Sequence, residues 1–156
     1  SKRSSSSWNF RAGYRLREAG DCFAELGKYS DAYEFLNQSL AVFGNIPEKD
    51  ASYHWYVAVT QWSVAKVKEQ KNELKESEQA RKSVLASLEK SRRNQEALAQ
   101  EIQYRIEMAQ FYAEKLHRRP DAESYLKTAL ELSDKLTAKE QLARKADLIR
   151  QIKEFK

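Results

Sequence analysis

From Trp8 to the last residues, apolar positions recur at steps of three and four with polar residues between them, the period of an α-helix. The pattern predicts seven helices, over roughly 8–26, 30–43, 49–70, 76–92, 95–117, 120–134 and 138–155. The breaks between them have physical causes. Gly27 follows the first run as a C-terminal cap able to take a left-handed backbone, and Ser30 is placed to cap the second helix. Gly44 and Pro47 interrupt the chain after Phe43, and Asn72 with its charged neighbours separates the third and fourth runs. Pro120 fits the first turn of a helix, with Asp121 at the positive end of its dipole. Thr137-Ala-Lys-Glu140 reads as a capping box. Ser1–Ser7 contains no apolar residue and reads as a flexible arm, so the predicted domain covers residues 8–156.

Composition narrows the class. The 156 residues include only 4 Gly and 2 Pro. The two together average about 12% of a typical chain, so turn residues are too few here for a sandwich or barrel. Apolar residues make up 41% and aromatics 11%, enough to build a core rather than remain disordered. The charged fraction of 33% and mean hydropathy of −0.82 suit a thin-layered, elongated helical protein. Acid-first i,i+4 pairs recur at Glu78/Lys82, Glu101/Arg105, Glu114/Arg118, Glu123/Lys127, Glu131/Lys135 and Glu140/Arg144, and are expected on solvated faces. A single cysteine, Cys22, excludes an intramolecular disulfide and is read as a small packing thiol in a reducing compartment. With no signal peptide and no apolar run long enough for a membrane span, an intracellular location, cytoplasmic or nuclear, is expected. The first residue is Ser1 and the only methionine is Met108, so the chain is expected to belong to a larger chain or complex.

Three segments align on a shared alanine: Asp31–Leu40 on Ala32, Gln79–Leu88 on Ala80 and Asp121–Leu130 on Ala122. Each has an aliphatic residue four on (Leu36, Val84, Leu126), a small residue seven on (Ser39, Ser87, Ala129) and a leucine eight on. Small residues at fixed places on one stripe mark close helix crossings, and such recurrence is the signature of stacked helix pairs. Gly20-Asp-Cys-Phe-Ala-Glu-Leu-Gly-Lys-Tyr-Ser-Asp-Ala32, followed by Ser39-Leu40, resembles the core of a tetratricopeptide repeat (TPR), with Gly20, Phe23, the Gly27-Lys28-Tyr29 turn and Ala32 in place. A second match surrounds Ala109, Tyr112 and Ala122, where Leu116-His-Arg-Arg-Pro120 lengthens the turn by one residue. The resemblance implies an all-α, right-handed α-solenoid of about three TPR-like helix hairpins, 8–43, 49–92 and 95–134, with a C-terminal capping helix at 138–155.

Candidate chemistry is sparse. His54 and His117 lie apart with no second metal ligand near either, Cys22 has no identifiable base, and the four glycines are too scattered for a phosphate loop. The expectation is therefore no enzyme, no cofactor and no metal.

What remains is binding. In stacked hairpins the first helix of each pair lines the concave side. That places Tyr14, Arg17 and Asp21 on the first helix, Trp55 and Trp62 on the third, and Gln103, Ile106 and Gln110 on the fifth as the expected partner-binding residues. The carboxylate clamp by which chaperone co-factors of the family hold an acidic C-terminus is not matched, because the inner stripe of the first helix carries Asp21 and Glu25 and no asparagine. Residues 66–93 carry nine bases against five acids. Arg81, Lys82, Lys90, Arg92 and Arg93 form a candidate basic patch for an acidic protein or for nucleic acid. The expected function is a scaffold or adaptor holding a protein or peptide partner. The alternatives are a nucleic-acid-associated module using the 66–93 segment, and a structural fragment of a longer solenoid or homo-oligomer.

Overall fold

Three residues with positive φ punctuate the chain: Gly27 at +74°, Asn72 at 63° and His117 at 54°, at successive intervals of 45 residues. Each ends a helix and lets the chain turn back. At the first turn the Gly27 and Lys28 N–H groups bond the Ala24 and Phe23 carbonyls at 3.0 and 2.9 Å. At the second, Asn72 and Glu73 repeat this with Glu69 and Lys68 at 2.9 and 2.8 Å. This is the left-handed helix cap, suited to Gly and Asn. At the third the Arg118 N–H reaches back six residues, to Tyr112 at 2.9 Å, which takes up the extra residue of that turn.

The structure is a computed structural model that describes residues 2–155. It is helical over 81% of the chain, with no strand among the described residues. The helices are α1 (Lys2–Glu25), α2 (Tyr29–Gly44), α3 (Ala51–Gln70), α4 (Leu74–Glu89), α5 (Gln95–Glu114), α6 (Arg119–Ser133) and α7 (Leu142–Lys153), with a short 3-10 turn at Lys139–Gln141. The expected elements are all present, with differences at their ends, among them α4 and α5 stopping at Glu89 and Glu114, short of the expected 92 and 117. α1 begins at Lys2, so residues 2–7 of the segment read as an arm are helical, Ser1 lying outside the described residues. α2 begins at Tyr29 without side-chain capping by Ser30. The Thr137–Glu140 capping box does not form. Instead the Gln95 side-chain carbonyl accepts the Thr137 and Ala138 N–H groups at 2.8 and 3.0 Å.

The chain divides into two compact units, 1–84 and 85–156. In the first, α1 packs on α2 and both meet α3. The crossing is close because Gly13 and Gly20 face it. A Cβ on Gly13 would lie 2.3 Å from the Phe43 ring, and one on Gly20 would lie 2.7 Å from Leu36. Ser39 seals the same crossing by donating from Oγ to the Gly13 carbonyl at 2.6 Å. α3 and α4 are pinned alike, by Ser77 Oγ donating to the Ala65 carbonyl at 2.7 Å.

In the second unit α5 packs against α6, and α7 lies on both. Leu98, Ile102, Ile106, Leu132, Leu136 and Leu148 form its core. Along α7 Leu148 is fully buried and Ile152 packs against the same core, while Leu142 is 51% exposed.

The middle segment corrects the alignment on alanine. Ala80 is only half-buried and Ser87 is exposed. The fully buried small residue five positions after the positive-φ residue is Ala32, then Ser77, then Ala122. The position of Ser39 and Ala129 is held by Val84, likewise 0% exposed.

Candidate partner-binding faces

In the first unit, α1 and α3 carry an aromatic cluster. The Tyr56 ring lies 5.1 Å from Phe10 and 5.5 Å from Phe43, and meets Trp55 edge-on at 5.0 Å. Tyr14 joins it edge-on at 6.5 Å and keeps 36% of its surface exposed. The Arg17 guanidinium lies 4.9 Å over the Tyr14 ring and contacts the Asp21 carboxylate at 3.4 Å. Tyr14, Arg17 and Asp21 thus fall together on one stripe of α1, as expected from their spacing. The ring is held edge-on against Tyr56, with Arg17 over one face. Trp55 is half-buried, and its indole N–H and the Arg17 Nε–H are shielded from water without a hydrogen-bond partner.

Trp62 does not belong to this face. It is 2% exposed, with the Arg81 guanidinium stacked 4.7 Å over its ring. Trp62 sits on the side of α3 that builds the core.

In the second unit the expected residues separate. Ile106 is fully buried in the core. Gln103 exchanges amide hydrogen bonds with Gln151 of α7 at 3.2 Å, so α7 occupies the side of α5 expected to receive a partner. Gln110 is exposed and lines an open cleft of about 510 Å³ with Glu114, Arg119, Gln151, Glu154 and Phe155.

Part of the basic patch is used internally. Arg81 is 2% exposed, bonded to Ser77 Oγ at 3.2 Å and paired with Glu69. Lys82 pairs with Glu78 at 3.0 Å. Arg92 forks onto Glu101 at 2.8 and 2.9 Å, and this hydrogen bond raises its pKa further above the ordinary arginine value. Lys90 and Arg93 are exposed.

Glu101 overturns the reading of its i,i+4 pair as solvated surface. It is 0% exposed and also accepts from Arg105 Nε at 2.8 Å, while Arg105 Nη2 reaches Glu89 at 2.7 Å. A signal was available: residues 101 and 105 interrupt the apolar stripe of Ala97, Leu98, Ile102 and Ile106. Glu114 does not pair with Arg118 either. That guanidinium turns to Asp121 at 2.8 Å and lies 5.1 Å from the Tyr112 ring.

Cys22 is exposed, not packed. His54 and His117 are exposed, the first with its ring edge-on to Tyr53 at 5.1 Å. Among the described residues no group of three His, Cys, Asp or Glu could hold a metal, and no helix is long and apolar enough to cross a membrane. No family model, no curated protein and no solved structure matches the chain.

Proposed function

We propose that this chain is a non-catalytic binding module, a TPR-like helical-repeat scaffold that holds a protein or peptide segment against α1 and α3 of its first unit. The observation that carries the reading is the setting of Tyr14: partly exposed, braced by Tyr56 and capped by Arg17. A rigid aromatic ring beside a guanidinium offers contact area at low entropic cost and a fork for a carboxylate or carbonyl. The unpartnered Trp55 and Arg17 N–H groups support it, since buried donors without partners are uncommon and a bound segment that shifts these side chains would satisfy them. The repeat part rests on the recurring left-handed turns and the buried Ala32, Ser77 and Ala122 behind them. An intracellular setting, cytoplasmic or nuclear, belongs to the same proposal and rests on the single free Cys22.

The nucleic-acid alternative loses support, because Arg81 and Arg92 direct their charge inward to Glu69 and Glu101.

The test is a random peptide library displayed against the whole chain. The best binders are then titrated against wild type, Tyr14→Ala and Arg17→Gln. Each variant should weaken binding by about 1 kcal/mol or more, roughly fivefold in Kd, with an unchanged melting temperature. Binders indifferent to both substitutions would overturn the reading.

A further inference from the structure

A second stripe of α1 faces away from the core and carries different chemistry. Residues 2–17 include five bases, Lys2, Arg3, Arg11, Arg15 and Arg17, and no acid. Trp8, Arg11 and Arg15 follow at i, i+3 and i+7, which puts them on one face. Trp8 is 66% exposed, the least covered of the aromatic rings near this helix. Arg11 is exposed with no ion-pair partner among the described residues. The Arg15 side chain is 82% exposed, its one neighbouring acid being Glu18 at 3.7 Å, too exposed a pair to hold it.

We infer that this outward stripe of α1 is a docking surface for an acidic protein segment. Side-chain carboxylates of the partner pair with Arg11 and Arg15, and an apolar side chain between them lies on Trp8. Trp and Arg are the residue types that most often anchor interfaces, and unopposed positive charge selects a partner of opposite sign. A single nucleic-acid strand fits less well, because it needs successive open rings for its bases. Trp8 is open, but the next rings along α1 are occupied: Phe10 packs 5.1 Å from Tyr56, and Tyr14 is edge-bound to Tyr56 with Arg17 over one face. The stripe does not include Tyr14, Arg17 or Asp21, so the inference stands apart from the face proposed above.

Fluorescence anisotropy of the full chain tests it with three probes: a labelled peptide of alternating Glu and Leu, its counterpart with Lys for Glu, and oligo-dT. The Glu/Leu probe should bind at low salt. Its affinity should fall at least about tenfold at about 0.5 M NaCl, and as much in the double variant Arg11→Gln/Arg15→Gln. Trp8→Ala should weaken binding while preserving the salt dependence. All these side chains lie outside the core, and unchanged melting curves confirm that the variants are folded. Failure of the Glu/Leu probe to bind, equal binding of the Lys/Leu probe, or unchanged affinity in the double variant overturns the inference. Binding of oligo-dT alone overturns it in favour of nucleic acid. None of these outcomes bears on the Tyr14-dependent peptides.

Discussion

Glu101 accepts from two guanidinium groups at once while itself having no contact with water. A buried carboxylate is tolerable only when its oxygens are filled, and here Arg92 and Arg105 fill them. Removing it leaves Arg105, whose side chain is 10% exposed, without an acceptor for its Nε–H and with Glu89 as its remaining carboxylate partner. Glu101→Ala should therefore cost about 3 kcal/mol or more, read as a lower urea midpoint. A midpoint equal to wild type would show that the carboxylate holds nothing. Tyr33 supplies a titratable counterpart. Burial, then the negative charges of Glu73 and Glu76, push its phenol up to about 12. The folded state thus favours the neutral phenol relative to an unfolded chain, where the value is about 10. Its contribution to stability is fully present below pH of about 10 and is lost as pH rises toward about 12. Absorbance titration should find a late-ionising component that Tyr33→Phe removes, together with this part of the alkaline destabilisation. A full set of tyrosines ionising near pH 10 would contradict it.

At the scale of elements, the α1–α2 crossing sets two effects against each other. Alanine is the better helix former by about 1 kcal/mol, so Gly13→Ala ought to stabilise α1 by propensity alone. Its Cβ would lie 2.3 Å from the ring of Phe43, which is fully buried and has no room to move. Overpacking of this kind costs roughly 1–3 kcal/mol, so the variant should melt lower. Gly44 is the internal control. Nothing lies within 4 Å of its Cβ position, and Gly44→Ala should be neutral or stabilising by up to about 1 kcal/mol. Thermal melts that ranked the two variants the other way would contradict this crossing. The helices and turns were legible in the sequence because their signals are local: apolar period, Gly27, Asn72 and Pro120. The middle register was not, because the side chain meeting α3 is Ser77, and a serine that donates to Ala65 is indistinguishable in sequence from a solvated one. Ala80, three residues on, offered the more obvious match.

For the whole molecule, which residues of the proposed face share a helix stripe was legible where spacing alone decides it and illegible where charge or packing does. Tyr14, Arg17 and Asp21 share a stripe because helix geometry requires it. Trp62 and Ile106 were assigned to the same kind of face, yet each lies on the side of its helix that the core covers. Gln103 is paired with Gln151, a contact between residues 48 apart that no local pattern announces. Part of the basic patch was illegible for a similar reason, since Glu69 of α3 and Glu101 of α5 take up Arg81 and Arg92. The most direct test of the proposed function is a ¹⁵N chemical-shift map of the full chain titrated with a library-selected peptide. The account predicts that the largest changes fall on the backbone amides of Tyr14, Arg17 and Asp21 and on the Trp55 indole N–H, with the buried Trp62 indole unmoved. Changes confined to Lys90, Arg93 and their neighbours, with the α1 and Trp55 signals still, would contradict it.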